Sequence, residues 1–294
     1  MSDAHPAMLA LGAMALTVAS APVLAPQLRA WGLVDVPNHR SSHDTPTLRG
    51  GGVAPMVGVL LAATGATLLG ADGIPWTALV ICVAVSLLGL VVDLRETSPL
   101  VRVVALALLG AALGSLLGDT GPALLGAVAM PVIVNVVNFM DGVNGITVLT
   151  SAAWGLVVIL GATSPAAVAL AALTLGAAIG FLPWNLPRAR MFLGDCGSYL
   201  FGALIAAALL LEYEGGQRPL LFVAPLVPYL LDTCSTVMRR AARGERLTEA
   251  HREHLYQRLA RRPGWTHGRV AALWAAAALG VSGIWWLLGH NGAS

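Results

Sequence analysis

The segment RMFLGDCGSYLFG, residues 190–202, holds a single acid, Asp195, between Gly194 and Gly197. Glycine has no Cβ, so a ligand backbone or a phosphate can come close to that carboxylate. The same residues also suit a turn in which an aspartate caps a helix start. A second acid stands in NVVNFMDGVNGIT, residues 135–147, where Asn135, Asn138 and Asp141 recur every three residues. On a helix that spacing puts them on one face, where they can hydrogen-bond a nucleotide, complete a metal shell, or tie neighbouring helices together. Asp93 ends a long apolar run beside Arg95 and Glu96. A carboxylate is costly there unless it is paired or used; a helix cap or a local pair with Arg95 is the plainer role.

Cationic and aromatic groups lie close by in sequence. DVPNHRSSHDTPTLRGGG, residues 35–52, brings Arg40, His43 and Arg49 to phosphate or simply anchors the chain at a membrane surface. PWNLPRARMFLGDCGS, residues 183–198, adds Asn185, Arg188, Arg190 and Phe192. The arginines suit phosphate, and the ring suits a stacked base or an interfacial anchor. In AHREHLYQRLARR, residues 250–262, His251 and His254 are three apart and Arg258 follows by four, a helical face that suits either a ligand or anionic lipid. Asp232 is within reach of Arg239 or Arg240.

The elements that must position these groups follow from composition. The 294 residues are 57% hydrophobic and 11% charged, with mean hydropathy +0.77, the profile of an all-α, polytopic membrane protein. Ten spans are expected, at residues 7–28, 51–70, 75–92, 100–118, 122–140, 145–161, 165–184, 197–212, 219–238 and 267–288. The first run lacks a basic lead and reads as a membrane helix rather than a cleaved signal peptide. All 17 basic residues are arginine, and apart from Arg218 they lie in or beside the odd-numbered loops. The positive-inside rule then puts those loops in the cytoplasm and both termini on the periplasmic side. One transmembrane domain, residues 1–294, results, with cytoplasmic loops at 29–50, 93–99, 141–144, 185–196 and 239–266. Cys82, Cys196 and Cys234 form no paired motif, and a net charge of +2 gives no ground for a nucleic-acid partner.

Carboxylates beside arginines suit Mg²⁺ held jointly with a diphosphate, and phosphoryl transfer needs that combination. A membrane setting makes one substrate a lipid. A transporter or flippase would instead place ionisable groups near the bilayer midplane, in repeated halves with broken helices.

Five stretches together resemble one family. DVPNHRSSHDTPTLRGGG, GLVVDLRETSP, NVVNFMDGVNGIT, MFLGDCGSYLFG and AHREHLYQRL match, in order, motifs of the polyprenyl-phosphate N-acetylhexosamine-1-phosphate transferases, glycosyltransferase family 4. The first-loop RSSH and the HLYQRL are similar to the branch that starts O-antigen or related surface-glycan synthesis, and the peptidoglycan branch's triple histidine is absent. The resemblance implies transfer of a sugar-1-phosphate from a UDP-N-acetylhexosamine to undecaprenyl phosphate, with release of UMP, at the cytoplasmic face of a bacterial inner membrane. It implies Mg²⁺, or Mn²⁺ in its place, on Asp195, and uracil on Phe192. Asn138, Asp141, Asn144 and Asn185 would line the nucleotide and diphosphate pocket. Asp93 would orient or deprotonate the lipid phosphate, and Arg49, His43, His251, His254 and Arg258 would hold phosphate or sugar. Asp93, Asp141, Asp195 and His254 would be the catalytic set, membrane lipids the surroundings, and a homodimer the assembly. Three positions depart from the pattern: Val92 replaces the first of two aspartates, Asn144 replaces an acid, and Ser41 replaces a lysine. An inactive scaffold is the reading those departures leave open.

Overall fold

The computed structural model describes residues 5–36, 45–214, 219–246 and 251–290. Arg40 and His43 therefore lie outside the described residues. In order, the chain forms α1 (Pro6–Ala30), β1 (Val34–Asp35), β2 (Thr47–Leu48), α2 (Val53–Leu68), α3 (Trp76–Leu94), α4 (Pro99–Leu117) and α5 (Thr120–Met140). It continues through α6 (Ile146–Gly161), α7 (Pro165–Asn185), α8 (Gly194–Glu214), α9 (Pro219–Val223), a 3-10 turn (Ala224–Leu226), α10 (Val227–Ala242), α11 (Leu255–Ala260) and α12 (His267–His290).

The all-α, polytopic expectation holds. Among the described residues eight helical segments are long and apolar enough to cross a membrane; α2 and α6, at 16 residues each, are shorter apolar helices. All ten expected spans correspond to helices. Two of them differ in form. The ninth is broken into α9, the 3-10 turn and α10, because Pro225 and Pro228 lack the N–H that a continuous helix would use. The eighth begins at Gly194 rather than at 197, so Asp195 stands in the first helical turn and not in a loop.

Helix α8 forms the middle of the bundle and packs against α3, α5 and α7, while α1 packs against α2 and α7. Residues Tyr199–Phe201 and Ala203–Ala208 are fully buried. Two close backbone approaches set where α8 begins. A Cβ on Gly89 of α3 would lie 2.3 Å from the Asp195 carbonyl oxygen, and one on Gly52 would lie 2.1 Å from the Gly197 nitrogen. Only glycine at these positions lets the first turn of α8 sit against α3 and the start of α2.

The two ends of the bundle are built differently. At one end the odd-numbered loops are laced together. β1 and β2 pair antiparallel, Leu48 bridges to Met191 in parallel, and Gly51 and Gly52 donate to Phe192 and Leu193 carbonyls at 2.9 and 2.8 Å. At the other end one buried acid does the tying. Glu212 accepts from the Thr163 and Ser164 N–H groups at 3.1 and 2.9 Å and from the Thr163 hydroxyl at 2.8 Å, capping α7. An anion at a helix N-terminus is stabilised by the free N–H groups and the aligned peptide dipoles, so Glu212 is satisfied without a cation.

Candidate active site

Asp93 is the hinge pin of the laced end. Its side chain is 1% exposed and pairs with Arg49, whose Nε donates at 2.8 Å, while Arg49 Nη2 donates to the Asp93 carbonyl at 3.1 Å. Its two oxygens also accept from the Asp195 and Cys196 N–H groups, at 3.1 and 2.9 Å. Asp93 therefore caps α8 from the end of α3. Its partner is Arg49 and not Arg95, which is exposed. Both oxygens are committed within the protein, so Asp93 is an anion that holds Arg49 and the start of α8 in position.

Asp195 presents the opposite case. Oδ1 accepts from Asn138 Nδ2 at 2.8 Å, and that same nitrogen reaches Ser198 Oγ at 3.0 Å. Oδ2 faces Arg102 Nη1 at 4.0 Å, and the Asp195 side chain is 26% exposed. Asn138 turns toward α8 as its spacing predicts, whereas Asn135 bonds back to Pro131 O of its own helix. The helix ends at Met140, so Asp141 follows it as the capping residue, its N–H on Asn138 O. Burial pushes the Asp141 carboxyl up to about 8; the Thr147 hydroxyl opposes this, and the charges of Asp195 and Asp93 add to it. Three acids thus share one field, and Asp141, which has no cation paired with it among the described residues, keeps its proton near neutrality.

That shift has a measurable sign. Without a cation, the folded chain keeps a proton on Asp141 that the unfolded chain loses near the ordinary 3.8. Stability from this group is full below that value and falls as pH rises toward about 8. In EDTA, the melting temperature is expected to decline across this window, and Asp141→Asn to flatten the decline. An unchanged slope in the variant would remove Asp141 as its source.

The histidine loop meets these acids from the other side. Its helix, α11, starts only at Leu255, so His251, His254 and Arg258 do not share a helical face as their spacing predicts. Asp232 is the reason. It accepts from the Leu255 and Tyr256 N–H groups at 2.8 and 3.1 Å, capping α11, and meets His254 Nδ1 at 3.3 Å. It pairs with neither Arg239 nor Arg240; Arg240 pairs with Glu245 at 2.8 Å. His254 is buried, its ring stacked on Tyr256 at 5.6 Å and 5.0 Å from the ring of His251. Burial first, then the charges of Arg240 and His254, push the His251 imidazole below its ordinary value, and its Nδ1 has no hydrogen-bond partner among the described residues. Tyr256 donates to the Phe139 carbonyl at 2.9 Å and so fixes the loop against the end of α5, next to Asp141.

The remaining predicted groups divide. Asn185 is buried, accepts from the Gly145 N–H at 2.5 Å and donates to Met191 O at 3.0 Å, so its amide clamps the Asp141 loop to the Asp195 loop. Asn144 uses its N–H on His267 Nδ1 at 3.3 Å. The Phe192 backbone is fixed to Leu48 O at 2.7 Å. Arg258 is exposed on α11, and Arg188 is exposed in the loop before Asp195. Arg190 stacks on Trp184, 4.3 Å from the ring centre, on the far side of the loop.

Two residues escaped the sequence reading of the site. Asp232 was legible only as a neighbour of arginines. Arg102 looked like a flanking charge, yet it stands in the first turn of α4, where the helix dipole disfavours a cation. Its Nε is buried without a hydrogen-bond partner among the described residues. A cation in that position is better served by an anion than by packing.

No group of three His, Cys, Asp or Glu side chains among the described residues is placed to hold a metal alone. Mg²⁺ does not need one, since it takes one or two carboxylates and fills the rest with phosphate oxygens and water. Asp195 Oδ2, facing outward with Asp141 in its field, suits that shared mode. Asp93, with both oxygens engaged, does not.

This arrangement has known relatives. A model of "Glycosyl transferase family 4" matches residues 75–212, which carry Asp93, Arg102, Asn138, Asp141, Asn185, Phe192 and Asp195. The decaprenyl-phosphate N-acetylglucosaminephosphotransferase of Mycobacterium leprae is 29% identical over 303 residues, covering 85% of this chain and 75% of the relative. Over residues 75–212 the chain is similar to glycosyl transferase family 4. Its counterpart in Mycobacterium tuberculosis (strain H37Rv) is also 29% identical, over 82% of this chain and 72% of the relative. The phospho-N-acetylmuramoyl-pentapeptide-transferase of Deinococcus radiodurans is 31% identical over 53% of this chain and 47% of its own. Within the matched region Val92 is the telling position: it is half-buried beside Asp93, which alone meets the α8 N-terminus and Arg49.

Proposed function

We propose that this protein is a phospho-sugar transferase that moves a sugar-1-phosphate from a UDP-N-acetylhexosamine to undecaprenyl phosphate, releasing UMP, in a pathway of surface-polysaccharide synthesis. The observation that carries the reading is the meeting of Asp195, Asp141 and Asp93 with Arg49 and Arg102 at one end of an apolar bundle. Carboxylates and guanidinium groups at such an end can hold a diphosphate in the polar layer while the lipid tail stays in the bilayer. The arginine pattern supports a cytoplasmic site in a bacterial inner membrane.

In this mechanism a lipid phosphate oxygen attacks the β-phosphorus of the UDP-sugar directly and UMP leaves. Mg²⁺, held by Asp195 together with phosphate oxygens, would neutralise the charge of the diphosphate. Arg49, whose side chain is 43% exposed, and Arg102 meet the phosphates. Asn138 fixes Asp195, Asp93 fixes Arg49, and Asp232 fixes His254 next to the sugar. Phe192 offers its ring to uracil.

Purified full-length protein with Mg²⁺, undecaprenyl or decaprenyl phosphate, and a panel of UDP-N-acetylhexosamines is expected to release UMP with at least one donor. UDP-N-acetylglucosamine heads the panel because the two mycobacterial relatives are named for that sugar. No UMP from any pair would favour a scaffold or transporter. A labelled phospho-sugar trapped on the protein without acceptor would overturn direct attack.

A further inference from the structure

We propose a second anion site in this protein, behind the acid cluster, that takes the phosphate head of an anionic membrane phospholipid. A cavity of about 450 Å³ opens between the end of α1, the strand β2 and the loop before α8. That volume falls in the range of roughly 300–1,000 Å³ that small-molecule sites occupy. Two of its lining residues are Arg29 and Arg190, and no acid among the described residues lines it. Arg190 is held in place by its stack on Trp184 and by a 2.7 Å bond from Nη2 to Pro183 O, leaving its other N–H groups for a ligand. Arg29 accepts from the Gly32 N–H at its carbonyl, at 3.0 Å, and its guanidinium makes no hydrogen bond or ion pair with the described residues. Two cations facing one cavity repel each other, and a phosphate would relieve this while offering several acceptors to the planar donors.

The walls point to a lipid phosphate. Pro22 and Ala25 of α1 line the cavity on the side that runs into the apolar bundle, with Leu48 and Met191 at its back. The head would meet the arginines and the first carbons of a glycerol backbone would lie along α1.

Extended backbone links this cavity to the acid cluster without joining them. Leu48 and Met191, the bridged pair, face the cavity, whereas the next residue after Leu48, Arg49, pairs with Asp93 on the other side. The ligand would therefore brace the wall from which Arg49 projects.

Native mass spectrometry of the full chain, presented with equal phosphatidylglycerol and phosphatidylcholine, tests the site without measuring turnover, so it stands or falls apart from the transferase reading. The wild type is expected to retain phosphatidylglycerol, and Arg29→Gln/Arg190→Gln to retain about tenfold less or lower still. The control Arg95→Gln/Arg262→Gln, which removes two exposed arginines elsewhere, is expected to match the wild type. Equal loss in the control, or no loss in the test variant, would overturn the site. Displacement of the lipid by inorganic phosphate at equal concentration would make it a free-anion site and overturn the lipid assignment. Should the double variant fail to fold, the single variants at these two exposed positions carry the same comparison.

Discussion

Asp195→Asn is expected to lower UMP release by about 10²–10³-fold, the usual cost of deleting one group that faces developing charge. The substitution isolates charge from shape. An asparagine oxygen can still accept from Asn138 Nδ2, now 2.8 Å from Oδ1, and the start of α8 is held by Asp93 through backbone N–H groups rather than by the Asp195 side chain. What disappears is the negative oxygen that faces Arg102 at 4.0 Å and is open to a cation shared with phosphate. The melting temperature should stay near that of the wild type while turnover collapses, and raising Mg²⁺ should restore little. Turnover close to wild type at an unchanged melting temperature would remove Asp195 from the chemistry.

The bundle was legible because the bilayer demands runs of about 20 apolar residues and because arginine marks alternate loops. The break in the ninth span was visible as Pro225 and Pro228, but a run of mean hydropathy hides a pair of prolines inside it. The convergence of Asp93, Asp141 and Asp195 was also legible, through motif order and the alternation of loops. The job of each acid was not. Capping of α8 by Asp93 joins residues about one hundred positions apart, and it depends on Gly89 admitting the backbone of Asp195. Asp232 acts on Leu255 and Tyr256 in the same way, which moved the helix start past His251 and His254 and undid the expected shared face. Sequence spacing gives the period of a helix but not where it begins. Carboxylates supplied from other helices settled that here, at Asp93, Asp232 and Glu212 alike.

The same logic governs the second large effect. Asp93→Asn is expected to cost both stability and activity. Asparagine offers one acceptor oxygen where two N–H groups and the Arg49 Nε now converge, and its own N–H₂ would face one of those donors. Breaking a buried ion pair by removing one partner typically costs about 3–5 kcal/mol, so a clear fall in melting temperature is expected. If Asp93 instead took a proton from the lipid phosphate, the variant would lose turnover with its stability intact. A double-mutant cycle separates the two. When Asp93 works through Arg49, Asp93→Asn, Arg49→Gln and the double variant should show similar losses of turnover, with coupling on the order of 0.5–3 kcal/mol between the two sites. Additive losses would mean that each residue meets the substrates on its own. The outcome also bears on Val92. An acid added there by Val92→Asp would enter beside an anion whose donors are already assigned, and like charges so close raise the cost of ionising either. Asp93 is paired in full without a neighbouring acid, which is how this chain can dispense with one.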